Sequence, residues 1–235
     1  MKIYAIKLIE IDCISFNQLM KHISKERKAK ICRFVNYKDK YKSLMSEILI
    51  RNIICDELNM SNADIFFEKN QFGKPFLKGY NNFHFNISHS GEWVVCAVDD
   101  KNIGVDIERI QHINYKELAQ DFFTEKEYKF ICEASLNEQL KFFYRIWTLK
   151  ESYIKAEGKG LSIPLKSFTI EIINNEIINV VTTNSLSKYY FKEFCIDCLY
   201  KMSICSLNPN LGNEVVIVSQ NELVTKFMRL VMKGD

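Results

Sequence analysis

Ile103-Gly-Val-Asp-Ile-Glu-Arg109 and Trp147-Thr-Leu-Lys-Glu-Ser-Tyr-Ile-Lys155 are the two stretches whose reading decides the fold. The first alternates: Ile103, Val105 and Ile107 take one side and Gly104, Asp106 and Glu108 the other, the period of a half-buried strand. Two carboxylates two positions apart on a strand share a face, roughly 7 Å apart at the backbone. The second stretch has the helical period, with Trp147, Glu151 and Lys155 along one stripe. If this strand and helix pack together, three acids converge beside an ammonium. Hard oxygen donors of that kind suit Mg²⁺ that also holds substrate phosphates. Each piece alone has a plainer reading. Asp-x-Glu on a strand face can be a solvated edge that discourages aggregation. A Glu–Lys pair at i,i+4 can be a helix-surface ion pair worth roughly 0.2–0.5 kcal/mol.

Outward from these stretches the pattern mixes helices and strands without βαβ alternation. Met1–Ile9 reads as a strand, and Phe16–Lys30 and Lys38–Leu58 read as helices. Asn81–Ser88 and Glu92–Val98 are expected strands around a polar turn at Ser88-His-Ser-Gly91, and Asp99–Asn102 turns the chain into the Asp106 strand. Helices are expected over Tyr115–Phe123, over Glu125–Ala134 with a Thr124/Glu127 capping box, and over Glu138–Glu157 with Gly158 as its stop. Strand-like runs follow at Phe168–Ile173, Glu176–Thr182, Tyr189–Leu199 and Tyr200–Ser206, then an amphipathic helix over Glu222–Met232. The order predicts an α+β fold. A division near residue 104 leaves helices against an antiparallel sheet in each half, 1–104 and 105–235, with no Pro/Gly-rich linker between.

At 235 residues, with 47% hydrophobic and 26% charged content, the composition is globular. A net charge of +3 argues against a general nucleic-acid binder but permits a local basic patch. Lys21, Lys25, Arg27, Lys28, Lys30, Arg33, Lys38, Lys40 and Lys42 form one, either a solvated helix face or a phosphate-binding surface. The eight cysteines are scattered; Cys195-x-x-Cys198 lacks a second ligand pair, so it is expected to be two buried free thiols in a strand. No secretory signal or membrane-spanning run is evident, and a reducing cytoplasm is the expected compartment. His89, in its polar turn, and Lys74, in the Gly73-Lys-Pro75 loop, are candidates for anion contact; each also fits an ordinary structural role.

Gly73-Lys-Pro75, Phe85-Asn-Ile-Ser-His-Ser-Gly91, Gly104-Val-Asp-Ile-Glu108, the Trp147–Lys155 stretch and Gly158-Lys-Gly-Leu161 occur in an order and spacing that resembles the 4′-phosphopantetheinyl transferases. The likeness is to the large monomeric type that primes surfactin synthetase and other nonribosomal peptide synthetases, and it runs from Met1 to at least Cys205. It implies two similar lobes related by a pseudo-twofold, with coenzyme A and Mg²⁺ in the cleft between them. By position it implies Asp106, Glu108 and Glu151 as metal ligands and Lys155 on the coenzyme A phosphates. Gly73, Lys74, Pro75, Ser88 and His89 would stand beside the nucleotide, with Arg27, Lys30 and Lys42 on the 3′-phosphate and diphosphate. Arg27 and Lys42 fall where relatives often carry the other basic residue, which keeps charge but changes geometry. Leu118, Phe122, Phe123 and Tyr128 fall in the region the family uses to dock an apo acyl- or peptidyl-carrier protein, although core packing also explains most of them.

The implied reaction explains the residue types. A carrier serine attacks the β-phosphorus of coenzyme A, 3′,5′-ADP leaves, and a base, Glu151 or a water it orients, takes the hydroxyl proton. A metal-dependent phosphodiesterase built on the same acids would instead bind nucleic acid with a steep salt dependence. A non-catalytic coenzyme A- or carrier-binding module would not need Asp106, Glu108, Glu151 and Lys155 all intact.

Overall fold

Two 22-residue helices, α3 (Tyr37–Leu58) and α6 (Leu136–Glu157), each lie on one sheet, and the two sheets lie on each other. The computed structural model describes residues 1–174, 177–183 and 187–232. In chain order the first part is β1 (Lys2–Lys7), α1 (Cys13–Met20), α2 (Lys25–Arg33), α3, β2 (Phe67–Lys69), β3 (Pro75–Leu77), β4 (His84–Ser90) and β5 (Trp93–Asp99). The second part is β6 (Ile103–Arg109), α4 (Tyr115–Phe122), α5 (Glu125–Glu133), α6, β7 (Phe168–Ile172), β8 (Ile178–Thr182), β9 (Tyr190–Phe194), β10 (Tyr200–Ser206), β11 (Val216–Val218) and α7 (Gln220–Met232). The α+β expectation holds.

The first sheet runs β11-β1-β5-β4 and the second β6-β10-β9. Their facing sides share one core, in which Ile3, Ala5, Val95 and Ala97 meet Ile103, Val105, Ile107 and Ile204. The outer side of the first sheet, with Val94, Cys96 and Val98, packs on α3. Covered on both faces, β5 is buried at all seven positions, the apolar run expected of a central strand. On the second sheet the outer side is where Asp106 points, and α6 covers it. Gly104 permits the close approach: a Cβ there would stand 2.0 Å from the Ser152 carbonyl oxygen and 2.4 Å from the Ala156 nitrogen.

Several boundaries differ from expectation for local reasons. The helix expected over Phe16–Lys30 is two helices. Ser24 holds extended backbone, and its hydroxyl accepts from Arg27 N, so it starts a new helix rather than continuing the old one. Thr124 and Glu127 form the expected capping box, and α6 stops at Gly158 with φ +72°. The Tyr189–Leu199 run is paired only to Phe194, and Cys195 and Cys198 are exposed free thiols rather than buried ones. The run expected from Glu176 begins outside the described residues; its paired part is β8. The short strands β2, β3 and β11 have too few residues to show a period. The sheets are not wholly antiparallel, because β11 joins β1 in parallel. With β11 comes α7, whose Leu223, Phe227 and Val231 enter the α3 core, so the chain's last elements pack with its first third. The expected division at 104/105 falls inside β6.

Candidate active site

β4 and β6 run side by side where the two sheets meet, and β4's side chains make the join. Asn86 Oδ1 accepts from Val105 N at 2.8 Å, and Ser88 Oγ donates to Asp106 Oδ1 at 2.9 Å. Ser90 Oγ donates to Glu108 Oε2 at 2.7 Å and accepts from Arg109 N at 3.0 Å. Residues 86, 88 and 90 share one face of β4 by the period of two. Ser88 and His89 therefore lie in a strand paired with β5, not in the expected turn; the turn comes after them, at Gly91 and Glu92. Asn86 and Ser90 join the site beyond the residues the sequence predicts for it, and the Asn-x-Ser-x-Ser alternation carries their signal.

From the opposite side α6 supplies Glu151 and Lys155. The Lys155 ammonium lies 2.5 Å from Asp106 Oδ1 and 3.0 Å from Ser88 Oγ. Asp106 is 3% exposed, and its Oδ2 is buried with no hydrogen-bond partner. An unpaired carboxylate oxygen in such a place is costly unless something cationic completes it. Burial pushes the Glu108 carboxyl up to about 7, and the charge of Asp106 adds to the effect while Ser90 and Lys155 oppose it. Glu151 is also raised, first by burial and then by Asp106. Lys155 bonds to Asp106 and Ser88, and its charge opposes the rise at Glu151. The sequence-derived acids and lysine are brought together. Among the described residues, no three His, Cys, Asp or Glu side chains are gathered closely enough to hold a metal ion as they stand.

The basic candidates are dispersed by comparison. Arg27 Nε donates to Glu47 Oε2 at 2.8 Å, and Glu47, buried, also accepts from Arg51. Lys42 stands near His89, since its charge joins burial in lowering the His89 imidazole; its own ammonium lies 3.3 Å from Asp39 Oδ1. Lys30 is lowered by burial and by Arg27 and Lys69. Lys74 is turned inward: its ammonium donates to the main-chain oxygens of Ile103 at 3.0 Å, Lys155 at 2.6 Å and Ala156 at 3.4 Å. Of the docking candidates, Phe122 is exposed and Leu118 and Tyr128 are half-buried. Phe123 is buried and stacks on Phe143, 5.2 Å between centroids, so it is a core residue. No helix among the described residues is long and apolar enough to cross a membrane.

The chain is similar to known proteins over most of its length. Residues 13–101 match the family "4'-phosphopantetheinyl transferase, N-terminal" and residues 102–202 match the "4'-phosphopantetheinyl transferase superfamily". The chain is 37% identical to the 4'-phosphopantetheinyl transferase Sfp of Bacillus subtilis (strain 168), over 95% of this chain and 100% of that protein. It is 41% identical to the 4'-phosphopantetheinyl transferase gsp of Aneurinibacillus migulanus, over 93% and 91%. A crystal structure of a holo-(acyl-carrier-protein) synthase from Bacillus anthracis in complex with CoA (3',5'-ADP) is similar at a TM-score of 0.40 and 16% identity, covering 45% of this chain and 93% of that one.

Proposed function

The chain belongs to the 4′-phosphopantetheinyl transferase superfamily and is a 4′-phosphopantetheinyl transferase, and we propose that it moves the phosphopantetheine of coenzyme A onto a serine of an apo carrier protein, releasing 3′,5′-ADP. The observation that carries this reading is Asp106: one oxygen held by Ser88 and Lys155, the other buried and unpartnered, with Glu108 and Glu151 both raised by burial and then by its charge. An all-oxygen donor set with an orphan carboxylate oxygen fits Mg²⁺. Asp106, Glu108 and Glu151 would hold it. When bound there it would neutralise charge on the diphosphate as the phosphorus–oxygen bond breaks.

The remaining chemistry falls to the chain's own groups. The serine Oγ bonds to the β-phosphorus, the bridging oxygen leaves with 3′,5′-ADP, and the hydroxyl proton passes to Glu151 directly or through a water it orients. A carboxyl raised above its ordinary value by burial is better matched to taking a proton near neutrality than an exposed one. Lys155 supplies positive charge where the diphosphate sits. Arg27, Lys30, Lys42, Ser88 and His89 bind the nucleotide's phosphates, and the Gly73–Pro75 backbone lies beside its base. Phe122, with Leu118 and Tyr128, offers an apolar spot for the carrier, which belongs to a nonribosomal peptide, polyketide or fatty-acid system.

In this reading α3 with the first sheet and α6 with the second are the two lobes of a pseudo-twofold. The first is residues 1–104 with β11 and α7 added, the second is the remainder of 105–235, and coenzyme A lies at the β4–β6 seam of a monomer. Incubating the protein with coenzyme A, Mg²⁺ and an apo carrier protein tests it. The expected result is a carrier mass gain of one phosphopantetheine and release of 3′,5′-ADP, abolished by a chelator. Tight, salt-sensitive nucleic-acid binding without that gain would support a phosphodiesterase instead.

A further inference from the structure

Lys74 lies in the loop joining β2 to β3, far in sequence from both elements it grips. Its ammonium donates to main-chain oxygens of the first residue of β6 and of two residues in the last turn of α6. Carbonyls of a helix's last turn lack intrahelical partners and carry the negative end of its dipole, so an ammonium there is well placed. The loop grips the same end twice. Asn70 Nδ2 donates to Gly158 O at 2.7 Å, while Asn70 Oδ1 accepts from Lys74 N and Phe72 N at 2.9 Å each. The fit is close: a Cβ on Gly158 would come within 2.9 Å of Lys74 Cδ.

The gripped residues matter. Lys155, whose carbonyl Lys74 holds, is the residue whose own ammonium reaches Asp106 and Ser88. Ile103, whose carbonyl Lys74 also holds, lies on the same strand as Asp106 and Glu108. A single ammonium therefore joins the strand that carries two acids to the helix that carries Glu151 and Lys155. An ammonium spent on three main-chain oxygens has no donor left for a phosphate.

We propose that Lys74, with Asn70, is a positioning residue that fixes the register of α6 on β6 and so sets Lys155 and Glu151 against Asp106. This rests on the site assigned under Proposed function, and it replaces the nucleotide contact that resemblance suggested for this side chain. Misplacing a reacting group by about 1 Å costs on the order of 10²-fold in rate, whereas a lost phosphate contact shows in affinity.

Lys74→Met and Asn70→Ala, measured in the full chain, separate the two roles. For both, kcat at saturating coenzyme A is expected to fall about 10- to 100-fold. The Kd for coenzyme A from calorimetry should stay within about twofold. Amide exchange at residues 155–158 should quicken, which reads the joint without the reaction. A tenfold rise in Kd with unchanged kcat would overturn the proposal and make Lys74 a nucleotide contact. Unchanged exchange and unchanged kcat in both variants would overturn it as well. Should Lys74→Met fail to fold, Asn70→Ala decides alone. Lys155→Ala is the control: full activity there would bring down the site assignment itself, an outcome distinct from failure of the Lys74 joint.

Discussion

Two of the lysine–carboxylate pairs on helix α6, Lys150–Glu127 and Lys155–Asp106, are built to opposite ends. Lys150 is 0% exposed and donates to Glu127 Oε1 at 2.6 Å, Glu127 Oε2 at 2.7 Å and Phe168 O at 2.7 Å. Its ammonium also lies 4.3 Å from the Phe168 ring centroid. Glu127 is equally closed, taking Thr124 N, Thr124 Oγ1 and Ile170 N as well. At the other pair Asp106 keeps a buried oxygen with no partner, and the Lys155 side chain is 26% exposed. A saturated pair holds α5, α6 and β7 together and has nothing left to offer a ligand. An unsaturated one is paid for in stability and is available for chemistry.

The sharpest way to break the comparison is to remove the open pair's acid. Asp106→Ala should abolish transfer, a loss of at least about 10³-fold, with a melting temperature near wild type, since an unpaired buried oxygen leaves with the side chain. Wild-type activity after metal is stripped and restored would make Asp106 a structural ion pair and no more. Glu151→Gln should bind coenzyme A nearly normally yet lose on the order of 10²–10⁴ in kcat, the usual worth of a general base. Full recovery of rate at saturating Mg²⁺ would show that it is a ligand alone.

The closed pair should answer in the other currency. Lys150→Met leaves Glu127 buried without its cation and should cost about 3–5 kcal/mol of stability. In the folded fraction kcat should stay within a few-fold of wild type. A Lys150→Met/Glu127→Gln double variant should lose less than the sum of the two single losses, because the orphan charge is gone. Chemical unfolding with activity measured alongside checks both. A rate loss larger than the stability loss explains would move Lys150 into the site.

These contrasts also show what was readable from residues. The strand face of Asp106 and Glu108 and the helix stripe of Glu151 and Lys155 were legible, because period two and period 3.6 state which side chains share a side. So were the Thr124 cap and the Gly158 stop, which are local. What was not legible depends on contacts across long separations. Lys74 reads as a free loop cation until α6 is seen ending beside it, and Phe123 fits docking surface or core alike until Phe143 is seen stacked on it. The return of β11 and α7 to the first sheet is of the same kind, since a three-residue strand carries no period and parallel pairing no turn signal. Lys150 and Lys155 stand on one helix with no local mark that tells them apart.

The basic patch gives a smaller effect. Lys30→Ala and Lys42→Ala should each raise KM for coenzyme A by about tenfold with kcat little changed, because the phosphates they are proposed to touch stay charged throughout the reaction. Arg27 should do less than its charge suggests, being committed to Glu47. Dephospho-coenzyme A provides the check: if wild type uses it as well as coenzyme A, no cation here reads the 3′-phosphate.

The smallest expected effect is on stability, and it asks whether the open site is strained without its ligand. The Glu108 carboxyl sits at about 7 in the folded protein, above its ordinary 4.5, through burial and the charge of Asp106. Between pH 4.5 and 7 the folded state therefore binds more protons than the unfolded one, so stability falls as pH rises through that window, and the cost is fully present above pH 7. Glu108→Gln removes it. In chelator the variant should exceed wild type by about 1 kcal/mol at pH 8, after allowance for solvent screening, and the advantage should vanish by pH 4. Adding Mg²⁺ at pH 8 should reverse the order, since only the carboxylate gains from the metal. Melting curves of both proteins at the two pH values, with and without Mg²⁺, contain the whole test. An equal advantage at pH 4 and pH 8 would trace the gain to packing and leave Asp106 and Glu108 unstrained, in which case the contrast with Lys150–Glu127 would rest on hydrogen bonds alone.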